Sequence, residues 1–145
     1  MRQTRNIEGL YEISDEDVLN GHKFADTVGQ VCFPVDIHDP LTSEATFHQI
    51  GDDGAFDIPY RAMVPNGLNN VLVAGRCISA SHFAHGATRN MAPCLVGGEA
   101  AGVAAALSVQ GNTAIPNIDI NRLQQLLLKG GAYLGERFVG DGNSS

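Results

Sequence analysis

Basic residues are scarce in this chain of 145 residues. Nine Lys and Arg stand against sixteen Asp and Glu, a formal charge of −7 and a pI near 5.0. With neither a basic block nor a basic stripe, a nucleic acid or an anionic membrane surface is excluded as partner. The three cysteines, Cys32, Cys77 and Cys94, make no C-x-x-C pair. Alone they build neither a zinc site nor an iron–sulfur site, and they are expected to be reduced and mostly buried. No apolar run of about 18 residues escapes interruption by charge, and Val103–Val109 is too short to span a bilayer. The start, Met-Arg-Gln-Thr-Arg-Asn, has no apolar stretch behind its basic residues, so nothing reads as a signal peptide. The cytoplasm is the default compartment. No internal repeat is visible. What is present suits one packed domain: 43% of residues are hydrophobic and 17% charged.

Glycine is in surplus. Seventeen of 145 residues is about 12%, against a usual ~7%, and the excess clusters in 75–111 and 130–142. Such clusters mark tight turns or close backbone approach. Residues 1–57 read as β-rich. Ile7–Ile13 is extended, and Ser14-Asp15-Glu16-Asp17 is a capping box for a short helix that Asn20-Gly21 stops. Val31, Phe33, Val35 and Ile37 alternate as one half-buried strand, with Pro34 at an edge or bulge. Thr46–Ile50 and Ala55–Ile58 read as a hairpin about Gly51–Gly54. Residues 58–111 hold a strand, a loop and a helix. Val71–Ala74, ending at Gly75, predicts a strand buried on both faces. Arg76–Asn90 shows no period and reads as a polar loop. A long helix opens at Pro93 in its first position and stops at Gly111-Asn112. Gly98, Gly102 and Ala106 form a small-residue stripe on it, as close packing of another backbone requires. Residues 112–138 carry a last helix, Ile120–Lys129, capped by Asp119, stapled by Ile118 and Leu123 and ended by Gly130-Gly131. Residues 139–145 are expected to be a disordered tail.

A strand running into Gly75-Arg76, a polar loop, and a helix opening at Met91-Ala92-Pro93 make half of a cofactor crevice. A helix start offers unpaired N–H groups and about half a positive charge. No G-x-x-x-x-G-K-[ST] loop is present. Gly97-Gly98-Glu99-Ala100-Ala101-Gly102 lacks the dinucleotide fingerprint spacing and lies inside a helix. On pattern alone, a plain strand–loop–helix unit with a close-packed helix is the favoured explanation of these residues.

Four segments carry a resemblance. They are Ile58-Pro59-Tyr60-Arg61-Ala62-Met63-Val64-Pro65, Asn70–His82 with Gly75-Arg76, Arg89-Asn90-Met91-Ala92-Pro93-Cys94, and Gly98–Ala106. In this order they resemble the C-terminal part of the FAD-dependent oxidoreductases with a glutathione-reductase-type flavin fold. Thr4-Arg5, Gly9-Leu10-Tyr11 and Asp36–Pro40 resemble the segment just upstream. The likeness covers about residues 4–133. It implies an α/β fold, α+β as an isolated fragment: the C-terminal portion of a two-domain flavoprotein with a β-rich arm, a buried strand and two helices.

The resemblance implies FAD as cofactor. Gly75 and Arg76 would face the FAD backbone, Arg76 suiting the pyrophosphate. Met91, Ala92 and Pro93 would sit at the pyrimidine edge of the flavin. Arg61 and Arg89 are each candidates for a substrate carboxylate or an FAD phosphate, each set against a structural ion pair. His82, His85 and His38 are candidates to handle a proton for a small-molecule substrate, each set against a bracing role. Tyr60 reads as packing. No metal site is expected, since the histidines have no H-E-x-x-H spacing. Nothing before Gly75 matches the nucleotide-binding fingerprint, so the chain is expected to be a C-terminal fragment, holding no FAD alone. Its expected partner is a nucleotide-binding half, or a second copy through the Gly98/Gly102/Ala106 face. The competing reading is a non-enzymatic α+β assembly module.

Overall fold

The computed structural model describes residues 5–38, 45–51 and 53–141, with the backbone alone at 37–38, 45–47 and 140–141. Helices and strands are mixed, as the α/β reading requires. Helix α1 (Asp15–Leu19) opens on the expected capping box. Ser14 Oγ accepts from the Asp17 N–H at 3.2 Å, and Asp17 Oδ2 accepts from the Ser14 N–H at 2.8 Å. Strand β1 (Thr27–Val31) pairs antiparallel with β4 (Phe56–Pro59), with an irregularity between Thr27 and Gln30. Strand β2 (Val35–His38) pairs antiparallel with β3 (Ala45–His48), Val35 opposite His48. Helices α2 (His82–Thr88), α3 (Met91–Gly111) and α4 (Ile120–Lys129) complete the fold.

Helix α3 lies across β1 and against α4, while α2 lies on β2. Ile13, Val28, Val31, Phe56, Ile58, Met63, Leu123, Leu127 and Leu134 are buried together as the core. Tyr60 is buried there as well, its hydroxyl donating to the Ile115 carbonyl at 2.9 Å, which fits the packing role. Helix α4 has the expected bounds. Asp119 accepts from the Arg122 N–H at 3.0 Å, and Ile118 and Leu123 are both buried.

Several expectations are corrected. The predicted strand through Val31–Ile37 divides at Cys32-Phe33-Pro34, because Pro34 cannot donate to a ladder. The predicted hairpin about Gly51–Gly54 does not form: β3 pairs with β2 and β4 with β1. Apolar alternation specified strands but not their partners. Val71–Ala74 is not a buried strand. Val71 is exposed, the next three residues are half-buried, and no strand pairs with them among the described residues. One bond, from the Val73 N–H to the Met63 carbonyl, ties the segment down. The loop read across Arg76–Asn90 contains α2, so the described residues hold four α-helices, one more than the three read from the sequence. A seven-residue helix is too short to show a period, and its Gly86 lowered the signal. That glycine serves a close approach: a Cβ there would stand 2.8 Å from Val35 Cγ1.

Helix α3 starts at Met91, two residues before the expected Pro93, which sits in the third position. Proline is still tolerated, because the first intrahelical bond runs from the Cys94 N–H to the Asn90 carbonyl. The C-terminus falls as expected, at Asn112 with φ +47. The cysteines are not mostly buried: Cys32 and Cys77 are exposed, Cys94 is half-buried, and all three are free. Cys32 and Cys77 lie at turns, where chain direction overrides side-chain preference. Helix α3 also has the length and composition to cross a membrane, with mean hydropathy 1.5 over 18 residues. The run Val103–Val109 undercounted it, because small residues on the other side of Glu99 extend the apolar stretch.

Candidate functional site

The turn Gly75–Cys77 meets both helix α2 and helix α3, and α2 in turn lies on β2. Gly75 has φ +78, which a side chain resists, so glycine is required there. Arg76 is exposed. Its Nε donates to the Arg89 carbonyl at 3.2 Å, and it also reaches the Cys94 thiol. Burial pushes that thiol above its usual range. Arg89 turns inward. Its Nη2 donates to the Asp36 carbonyl at 2.8 Å and meets Asp36 Oδ2 at 3.3 Å, with 13% of its side chain exposed. This guanidinium braces β2 to the segment entering α3.

Ser81 caps α2 by accepting from the Ala84 N–H at 3.0 Å. His82, the first residue of α2, is exposed. His85 is 2% exposed, and its Nε2 lies 3.1 Å from the Arg76 carbonyl. A carbonyl oxygen only accepts, so Nε2 carries the proton. Burial lowers the pKa of this ring, and the charges of Arg89, His82 and Arg76 act the same way against the favourable carbonyl contact. The ring is therefore a neutral brace. His38 ends β2, and its side chain lies outside the described residues.

The start of α3 is bare. Asn90 is its cap residue, but the Asn90 amide donates backward to the Ala87 carbonyl at 3.1 Å and the Gly86 carbonyl at 3.5 Å. No side chain caps α3, and no acid lies in its first turn. Met91 is 80% exposed and Ala92 is exposed, while Pro93 is buried and has no N–H. The free donors of this turn are the N–H groups of Met91 and Ala92.

The open side of α3 continues from there. Leu95 and Val109 are 74% and 82% exposed, and nothing stands within 4 Å of a Cβ built at Gly98 or Gly102. The close approach inferred for that stripe is not seen at these glycines. Gly97, one residue earlier, is buried against the Gly75 turn, but a Cβ on it would meet the Gly75 nitrogen at 3.8 Å, an ordinary contact distance. Arg61 pairs with Asp26 through two bonds, 2.9 and 3.2 Å, and lies over the Tyr11 ring. Among the described residues, no three His, Cys, Asp or Glu side chains gather as a metal-holding group.

Sequence reasoning missed Asp36 as the partner of Arg89, since 53 positions separate them. It also missed the reversal of the Asn90 side chain, because Asn before a helix reads as an ordinary cap. The bare helix start and the exposed guanidinium suit an anionic, electron-rich cofactor such as FAD.

No curated protein and no solved structure matches the chain. Residues 1–127 match the sequence model of the family described as FAD dependent oxidoreductase. With that match covering most of its length, the chain belongs to the FAD-dependent oxidoreductase family.

Proposed function

We propose that this chain is the C-terminal portion of a flavoenzyme in which hydride passes between an organic substrate and flavin. FAD, when bound, supplies the redox chemistry, and the protein supplies binding, orientation and electrostatics. The observation that carries this reading is the uncapped start of α3 beside Arg76, in a chain of this family. Two free N–H groups and the helix dipole suit the edge of the flavin where negative charge collects on reduction. Arg76 suits a pyrophosphate oxygen, and Gly75 allows close approach to the backbone. His82, exposed at the head of α2, is the group of this site best able to exchange a proton with a small-molecule substrate.

The open face of α3 and the unpaired segment 71–74 support a nucleotide-binding half as partner. A flavin-binding sheet would pair the segment, and the helices behind it would cover Leu95, Gly98 and Gly102. The test is flavin content after desalting, on a longer polypeptide that carries this chain. Stoichiometric flavin, lost on Arg76→Ala, supports the reading. A longer polypeptide that takes up no FAD, with this chain dimeric through the Gly98/Gly102/Ala106 face, overturns it and favours an assembly module.

A further inference from the structure

We propose that His85 is a positioning residue: through its Nε2–H it holds the Arg76 carbonyl, and so fixes the turn that sets the Arg76 guanidinium at the opening of α3. The functional weight of this assignment rests on the reading of Arg76 as a cofactor-binding residue.

Three contacts form a chain. Asp36 of β2 holds Arg89, the Arg89 carbonyl receives Arg76 Nε, and the Arg76 carbonyl receives His85 Nε2. Arg76 is thus held at both ends, by its peptide from α2 and by its guanidinium from the segment leading into α3. The peptide end matters because Gly75, at φ +78, gives the turn little rigidity of its own. An exposed arginine has many rotamers, and fixing the backbone beneath it lowers the ordering cost on binding. His85 reaches no surface itself, being 2% exposed with its Nε2 occupied. Its ring is faced by Arg76 on the turn, by Arg89 at the C-terminal end of its own helix, where Asp36 of β2 pairs with that guanidinium, and by His82 at the helix start. This setting keeps the ring neutral, and the neutral ring has one N–H to give.

The test uses this chain and the variants His85→Leu and His85→Gln. Glutamine retains an N–H donor near the Nε2 position, and leucine does not. Hydrogen exchange at Arg76 Nε, followed by NMR, reads whether the guanidinium still rests on the Arg89 carbonyl. We expect exchange at least tenfold faster in His85→Leu and near the wild-type rate in His85→Gln. Unchanged exchange in a folded His85→Leu protein overturns the proposal. If His85→Leu does not fold, the wild-type ring decides: nitrogen shifts showing the proton on Nε2 support it, and a proton on Nδ1 alone overturns it. Flavin retention, measured separately on a flavin-loaded longer polypeptide, tests the underlying reading. If His85→Leu frees Arg76 but neither it nor Arg76→Ala weakens retention, the positioning stands and the cofactor role of Arg76 falls.

Discussion

Gly29 of β1 lies directly beneath Val96 of α3: a Cβ at residue 29 would stand 2.3 Å from Val96 Cγ1. The missing side chain lets the long helix settle on the strand. The β-branched Val96 has one strongly preferred rotamer in a helix and cannot swing aside freely. Gly29→Ala should therefore cost about 1–3 kcal/mol, the usual range for overpacking. Val96→Ala in the same chain should recover the steric part of that loss and not the part due to the Gly29 backbone at φ +159, and urea unfolding of both single variants and the double variant measures the coupling.

Asp57 is fully buried and accepts from the Phe24 N–H, Gln30 Nε2 and Arg137 Nη2, at 2.9, 2.8 and 2.7 Å. Asp57→Ala takes the acceptor from the Phe24 N–H and Gln30 Nε2 and leaves Arg137 with the Phe24 carbonyl, and should destabilise by about 3 kcal/mol. Arg137→Ala should cost less, because that side chain is 39% exposed and the carboxylate keeps two donors. Equal losses in a denaturant titration would contradict the ordering.

Acid should weaken the fold through His85. Its pKa in the folded protein lies below the unfolded value of about 6.5. Below that pH the unfolded chain takes up a proton that the folded chain refuses. The stability contributed by a neutral His85 is thus complete above about pH 6.5 and is lost as pH falls toward the folded pKa. His85→Gln removes this titration. The difference in urea midpoint between the two proteins should shrink from pH 7.5 to pH 5.5.

Leu95→Lys should leave the stability of this chain within about 0.5 kcal/mol of wild type, since Leu95 is 74% exposed. The same change should block association with a nucleotide-binding half. Normal flavin incorporation in a longer polypeptide carrying Leu95→Lys would show that this face is not the docking surface. The isolated chain should be colourless after desalting, and a stoichiometric flavin spectrum would sink that expectation.

Ala92→Asp places a carboxylate among the two free N–H groups that open α3. A helix end is worth roughly 0.3–1 kcal/mol to an exposed charge and up to about 2 when partly buried. For a two-electron couple about 1.4 kcal/mol corresponds to roughly 30 mV, so the flavin potential should fall by tens of millivolts. Arg76→Ala should instead weaken flavin retention at nearly constant potential. Redox titration and flavin dissociation on a flavin-loaded protein separate the two effects.

Local signals were legible wherever residues near in sequence settled the outcome. The Ser14–Asp17 box, the Asp119 cap with its ten-residue helix, and the end of α3 at Asn112 each depend on atoms within one helical turn. The order of motifs from Ile58 to Ala106 carried the family in the same way, and residues 1–127 match it. Strand pairing was decided elsewhere. Phe56–Pro59 finds β1 rather than its sequence neighbour, because period-two alternation fixes which side chains seek cover and says nothing of which backbone supplies the hydrogen bonds. The candidate site depended on tertiary structure for the same reason. Arg89 meets Asp36 across 53 residues, the Asn90 amide turns back to α2, and His85 is folded inward onto Arg76. Each polar side chain had several chemically equal partners in the sequence, and only the packing of α2 on β2 and of the Gly75–Cys77 turn on α2 and α3 selected one.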